Sequence, residues 1–388
     1  YFYPDIPKGY QISQYKYPLI SGGSLNSVRL TRIHLEEDTA KSSHDTGSVS
    51  LVDFNRAGVP LMELLTEPVI TSSEQAVAFA KELQLLLQYL DVGDANMEKG
   101  EMRVEVNFSV SKDNTFGTKV EIKNLNSFKA VGKAIDFEFR RQTSLLNRGE
   151  LVAQETRGWD ENKETTFSQR MKESAHDYRY FPEPDLPKLI ISEIPEFSDG
   201  EIQKLLKETP QQKRERYLKQ FQLKSSDIEI YINNKEAGLF FEAVSDSLGE
   251  WAQTASNYIT SDITGLSKNE GLDFTLGKIS TESFIKLISM IKNGDLSSRG
   301  AKDILKILFE KGGDPEVIAK ETGLVQKNNI EEIKILAEKI LKDNKDKVLE
   351  YKSGKVSLLQ YFIGEGMKAT KGSINPEVLK KTILDFLN

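Results

Sequence analysis

The stretch Glu101-Met102-Arg103-Val104-Glu105-Val106-Asn107-Phe108-Ser109-Val110 alternates strictly. Met102, Val104, Val106, Phe108 and Val110 fall on one face, and Arg103, Glu105, Asn107 and Ser109 on the other. A period of two with one apolar face predicts a half-buried strand. Residues 118–123 continue the pattern, with Val120 and Ile122 apolar and Lys119, Glu121 and Lys123 polar. The connector Ser111 to Gly117 carries Asp113, Asn114 and Gly117, which predicts a hairpin.

Working outward, helices flank this hairpin. Thr71 and Glu74 have the spacing of a capping box before an apolar-periodic run from Ala76 to Leu90. Ser127 is placed to cap a second helix, with Phe128, Val131, Ile135 and Phe139 on one stripe and Gly149 past its end. Asp5-Ile6-Pro7 and Ser21-Gly22-Gly23-Ser24 are turn signals. After about residue 195 strand signals fade and Lys/Glu/Leu-rich helical periodicity takes over, punctuated at Asn293-Gly294-Asp295, Gly312-Gly313-Asp314-Pro315 and Lys352-Ser353-Gly354. The expected class is α+β: a β-rich mixed domain over 1–195, a helical domain over 196–318 and a small helical tail over 319–388.

The 388 residues carry 59 acidic and 52 basic side chains, a formal net charge of -7. That mild acidity argues against wholesale polyanion coating. The tail differs, since 319–388 holds 13 Lys against 10 acidic residues, a net of +3. Cysteine is absent, which excludes disulfides, thiolate metal sites and a cysteine nucleophile within these residues. The three histidines are His34, His44 and His176, so any His-based metal cluster or Ser-His-Asp triad needs one of them. No apolar run approaches the ~18 residues of a membrane span. There is no GxxxxGK[ST], no GxGxxG after a strand and no kinase signature set.

Five stretches could carry chemistry. On the hairpin's polar face, Arg103, Glu105 and Asn107 lie with Lys119, Glu121 and Lys123. On spacing alone that is a solvated face with cross-strand ion pairs, each worth about 0.2–1 kcal/mol. The same groups could hold Mg²⁺ by carboxylate oxygens and a phosphate by cations. Arg32-Ile33-His34-Leu35-Glu36-Glu37-Asp38 reads as a strand end or a second source of carboxylates for a divalent cation. Asp53-Phe54-Asn55-Arg56-Ala57-Gly58-Val59-Pro60 has turn chemistry, with Asp and Asn bonding local backbone. Glu63 beyond it is a candidate partly buried carboxylate, which must be paired, metal-bound or protonated. Lys123-Asn124-Leu125-Asn126-Ser127 runs into a helix N-terminus, either an ordinary cap or a site for an anion. His176-Asp177-Tyr178-Arg179-Tyr180-Phe181-Pro182-Glu183-Pro184-Asp185, which its two prolines keep extended, is a packed connector or a grip on a nucleotide or an RNA end through Arg and aromatic groups.

Taken together, YFYPDIPKGYQISQ, TRIHLEEDTAKS, SLVDFNRAGVPLMELLTEP, EMRVEVNFSVS, GTKVEIKNLNSF, QETRGWDE and DYRYFPEPDLP resemble the B subunits of the tRNA-dependent amidotransferases (GatCAB). The resemblance continues through SSRGAKDILKILFEKGG into FIGEGMKATKGSINPEVLKK, which looks like the GatB/YqeY tail domain. It covers essentially the whole chain.

That resemblance implies an activity: conversion of Glu-tRNA(Gln), and often Asp-tRNA(Asn), to the amidated form, in an assembly with the A (glutaminase) and C subunits of GatCAB. ATP and Mg²⁺ serve to phosphorylate the tRNA-borne carboxylate, and ammonia from the glutaminase displaces phosphate. Glu37 and Glu121 then become the foremost metal or channel-mouth carboxylates, with Glu36, Glu63 and Glu105 beside them and Lys123 in the catalytic set. Glu105 departs mildly, because relatives can have Asp there. Lys8, Arg103, Lys119 and Arg179 are candidates for ATP, phosphate or the tRNA acceptor end, Asn124 for a polar contact, and His34 for a supporting role. Family members open with a Gly-Leu-Glu-[Ile/Val]-His strand that has no counterpart here, so the sequence reads as N-terminally truncated. The alternative is a tRNA-binding fragment that is catalytically incomplete. The archaeal GatE relatives carry a large inserted domain for which the stretch from Leu186 is too short. The resemblance implies no DNA or membrane partner, and a bacterial cytoplasm or an organellar matrix as the compartment.

Overall fold

The computed structural model describes residues 4–387 apart from 47–48, 114, 172–179, 182, 327–329 and 371–373. The chain divides into two compact units, Tyr1–Thr209 and Pro210–Asn388.

The first unit contains two four-stranded sheets. One is built on β4 (Val28–Glu37). Two short strands, β2 (Ile20–Ser21) and β3 (Ser24–Leu25), pair with it antiparallel, separated by Gly22 and Gly23 at positive φ. Strand β7 (Pro60–Thr66) pairs antiparallel with β4, placing Glu63 opposite His34 and Pro60 opposite Glu37. Strands β5 (Lys41–Thr46) and β6 (Val49–Asp53) form a separate hairpin. Beyond β6, Asn55 N donates to Asp53 Oδ1 at 2.9 Å and Gly58 sits at φ +81, the turn chemistry expected of this stretch.

In the second sheet, strands β8 (Val104–Phe108) and β9 (Val120–Leu125) are the expected hairpin, with Asn107 opposite Glu121. The pairing is shorter than the alternation, and a register shift between Val104 and Val106 lies across from Asn124, whose φ is +63. Strand β10 (Glu155–Asp160) runs parallel to β9, and β11 (Thr165–Met171) returns antiparallel to β10. The strand order is therefore β11-β10-β9-β8. Parallel neighbours need a long crossover. Helix α2 (Phe128–Asn147) supplies it and packs on α1 (Ser73–Tyr89). Ile122, Leu125, Trp159, Ala130, Val131, Ala134 and Ile135 close the core beneath one sheet face, and the opposite face carries polar groups that are open at Glu105 and Lys123 and buried at Thr156.

Two local expectations are corrected. The cap of α1 is Ser72, whose Oγ accepts from Gln75 N at 3.1 Å, while Gln75 Oε1 accepts from Thr71 N at 2.9 Å. The capping pattern therefore sits one residue beyond Thr71, and Gln75 takes the part expected of Glu74. In α2, Ser127 does cap, but Phe139 is 55% exposed and Glu138 is buried in its place. Glu138 meets Arg157 of β10 there, 3.1 Å away.

Finally, β1 (Gln11–Ile12) pairs in parallel with β12 (Tyr180–Phe181), so the chain returns beside its own beginning. Arg179, with His176, Asp177, Tyr178 and Pro182 of its expected site stretch, lies outside the described residues. The second unit consists of helices, from Pro210–Phe221 to Pro376–Leu387. One of its clusters packs Ile333, Ala337, Ile340, Phe362, Leu379 and Ile383 in the tail. Among the described residues no helix is long and apolar enough to cross a membrane.

Candidate functional site

The first unit places its candidate groups in three neighbouring clusters. At the end of β4, alternation directs His34 and Glu36 to one face, and the β7 ladder brings Glu63 beside them. His34 is fully buried, and its Nε2 faces Glu36 Oε2 at 3.2 Å and Glu63 Oε2 at 3.4 Å. Its other ring nitrogen, Nδ1, is buried with no partner. Burial, and then repulsion from Glu63, push the Glu36 carboxyl above its ordinary range, against the pull of hydrogen bonds from His34 and Ser13. One ligand atom from each of His34, Glu36 and Glu63 lies within 4.8 Å of the others, the one such group among the described residues. One imidazole nitrogen and two carboxylate oxygens suit a transition-type divalent ion such as Mn²⁺ or Zn²⁺ better than Mg²⁺. Tyr15 stands edge-on to His34 with ring centroids 6.1 Å apart, and the Arg32 guanidinium lies 4.3 Å over the Tyr15 ring.

Glu37 points the other way and is spoken for. Lys8 Nζ bonds its Oε2, and Ile12 N donates to Oε1 at 3.0 Å. Gln11 Nε2 donates to the Glu37 carbonyl at 2.8 Å. The structure thus brings together Lys8 and Glu37, but Glu37 apart from the His34 group. Asp38, 5% exposed, takes Arg56 Nη2 at 2.9 Å and Arg103 Nη2 at 3.4 Å. Arg103 leaves its own sheet's polar row to do so, and joins the β4 end to the second sheet.

The third cluster lies on the open face of that second sheet. Lys123 Nζ is 3.1 Å from Glu105 Oε1 and 3.6 Å from Glu121 Oε1. Glu121 Oε2 accepts from Thr156 Oγ1 at 2.9 Å, across the parallel β9–β10 pair. Two carboxylates and one ammonium on an accessible face offer the all-oxygen ligation Mg²⁺ favours beside a cation for phosphate. These residues therefore fit a magnesium nucleotide by donor chemistry. Lys119 is exposed at the entry to β9, and Asn124 is exposed in the bulge beyond it.

Sequence reasoning missed Asp38 with Arg56, and Thr156. The arginine stood in a stretch read only as a turn. Thr156 stood in QETRGWDE, where its alternation with Glu155 and Arg157 was the available signal. Beneath the sheet the sequence also hid a buried network. Glu138 Oε1 lies 3.1 Å from Arg157 Nε, Arg141 Nη2 lies 2.9 Å from Glu138 Oε2, and Arg157 Nη1 lies 2.6 Å from Glu155 Oε1. Burial pushes Glu138 upward, but the bonds from Arg141 and Thr166 prevail and hold it below its ordinary value.

Comparison with known proteins bears on these clusters. A model of the GatB/GatE catalytic domain matches residues 1–195, and a model of the GatB domain that includes the tail matches 239–387. The B subunit of an aspartyl/glutamyl-tRNA(Asn/Gln) amidotransferase from Persephonella marina is 42% identical, over 100% of this chain and 83% of its own length. The protein of that name from Picosynechococcus is 39% identical over 100% and 82%. The B subunit of a chloroplastic/mitochondrial glutamyl-tRNA(Gln) amidotransferase from Physcomitrium patens is 41% identical over 100% and 72%.

Proposed function

The chain belongs to the GatB family of tRNA-dependent amidotransferase subunits, and on that footing we propose how its groups share the work. It is the B subunit of a glutamine-dependent amidating ligase that works with A and C subunits on misacylated tRNA. The substrate is Glu-tRNA(Gln), Asp-tRNA(Asn) or both. In the reaction a carboxylate oxygen of the tRNA-borne side chain attacks the γ-phosphorus of ATP and ADP leaves. Ammonia then attacks the resulting acyl phosphate, losing a proton as phosphate departs. Phosphorylation is needed because an oxide is a poor leaving group.

The observation that supports the second sheet as the site of activation is the Glu105–Lys123–Glu121 row on its open face. Glu105 and Glu121 would hold Mg²⁺, which when bound offsets charge on the transferring phosphoryl group. Lys123 neutralises phosphate oxygens as they accumulate charge. Arg103, already paired with Asp38, joins the carboxylate-rich end of β4 to this face, and Lys8, paired with Glu37, orders that end. His34, Glu36 and Glu63 form a separate divalent-cation site. The lysine-rich tail holds the tRNA body by sequence-independent phosphate contacts. A bacterial cytoplasm or an organellar matrix, where translation supplies the substrate, is the compartment.

The test assembles the chain with its A and C partners and supplies Glu-tRNA(Gln), ATP, Mg²⁺ and ammonium chloride. Free ammonium bypasses the glutaminase. Gln-tRNA(Gln) formed only when ATP and Mg²⁺ are present supports the reading. Bound tRNA with no tRNA-dependent ATP cleavage favours the alternative of a binding-competent, catalytically incomplete chain.

A further inference from the structure

We propose that Thr156 is a positioning residue for the Glu121 carboxylate, an inference that rests on the reading of Glu121 given above. Thr156 stands beside Glu121 in the parallel β9–β10 ladder and is only 2% exposed. Its Oγ1 donates to Glu121 Oε2 at 2.9 Å, which leaves Oε1 as the oxygen turned toward Lys123, 3.6 Å away. A glutamate on a half-open sheet face has three side-chain torsions, and ordering it costs entropy. A hydroxyl on a β-branched side chain has few rotamers and is already aimed by the strand. It therefore holds one carboxylate geometry before substrate arrives.

The strand that carries the hydroxyl is itself locked from the opposite face. Arg157, the next residue, points into the sheet's underside. There its Nε donates to Thr166 Oγ1 at 2.8 Å and its Nη2 to the Thr166 carbonyl at 2.9 Å. Thr166 Oγ1 in turn donates to Glu138 Oε1 at 2.5 Å. The β10–β11 register shifts between Thr156 and Arg157, so the ladder is interrupted at the point where the side chains divide between the two faces. The Glu138–Thr166–Arg157 bonds on one face thus anchor, through the β10 backbone, the strand that presents Thr156 to Glu121 on the other.

Two variants separate the hydroxyl from the methyl group. Thr156→Val keeps the shape and removes the donor, whereas Thr156→Ser keeps the donor. Both are assembled with the A and C partners and assayed for tRNA-dependent ATP cleavage. Mn²⁺ binding is followed by electron paramagnetic resonance in a Glu63→Gln background that disables the His34 group. Thr156→Val should lower kcat and weaken Mn²⁺ binding by about 10–100-fold with the KM for tRNA unchanged. Thr156→Ser should stay within about threefold of the parent protein in both. Wild-type behaviour of Thr156→Val, or equal loss in Thr156→Ser and Thr156→Val, would overturn the inference. Glu121→Gln in the same assay separates the two failures. If it is fully active, the reading of Glu121 is wrong; if it is inactive while Thr156→Val is active, only the positioning role is wrong.

Discussion

Glu63 stands opposite His34 in the β4–β7 ladder, and its Oε2 lies 3.4 Å from His34 Nε2. With Glu36 Oε2 on the same nitrogen at 3.2 Å, two carboxylates converge on one imidazole. A divalent ion at this point relieves their repulsion. Mn²⁺ or Zn²⁺ should therefore raise the thermal midpoint of the protein, by the equivalent of about 2.7 kcal/mol at a hundred times its Kd. Glu63→Gln should remove most of that metal-induced shift. Equal shifts in the parent and the variant would exclude this cluster as a metal site.

Glu138 lies fully buried between Arg141 and Arg157. Its carboxyl is held below its ordinary 4.5, so its contribution to stability is present above that value and is lost as pH falls through the lower folded-state value. Glu138→Gln leaves two part-buried guanidinium groups short of a counter-charge, and should cost about 3–5 kcal/mol at neutral pH. The gap between parent and variant should shrink progressively as pH falls below 4.5. Denaturant unfolding at pH 7 and pH 3.5 checks both; a gap that is independent of pH would contradict the ionised pairing.

Lys123 sits between Glu105 and Glu121 on the open face. Replacing it with methionine keeps most of the length and removes the charge. Lys123→Met should lower tRNA-dependent ATP cleavage by about 10²–10³-fold, the usual cost of losing one preorganised electrostatic contact. Filter binding of tRNA should be unchanged. A loss of tRNA affinity with normal turnover would instead place Lys123 at the tRNA.

In the tail, Lys345 opens the helix Lys345–Lys352 and Lys352 ends it. If these ammonium groups contact phosphates, neutralising both should lower the slope of log K against log salt by about 1–2. Affinity measured across a salt series checks this. An unchanged slope would remove this helix from the tRNA interface.

Much of the fold was legible because it rests on short-range pattern. The alternation Val104, Val106, Phe108 and the turn residues to Gly117 specify the β8–β9 hairpin without any distant partner. Ser127 announces α2 through its own hydroxyl. Legibility fails where a long-range partner decides. Phe139 continues the apolar stripe of α2 in sequence, yet the structure leaves it exposed and buries Glu138 against Arg157, 19 positions on from that glutamate. Glu36 and Glu37 are adjacent in sequence, yet pleating sends one to His34 and the other to Lys8. Thr156 meets Glu121 only because a 20-residue helical crossover makes β9 and β10 parallel neighbours. No local signal carries that pairing.

The central claim is that the open face around Glu121 activates the tRNA-borne carboxylate. The most direct measurement compares the parent chain and Glu121→Gln, each assembled with A and C subunits, for ATP cleavage dependent on Glu-tRNA(Gln) and for tRNA binding. The account predicts that the variant binds tRNA normally and cleaves no ATP in response to it. A variant that cleaves ATP at the parent rate would contradict it, and would make Glu121 a structural partner of Lys123 and Thr156 alone.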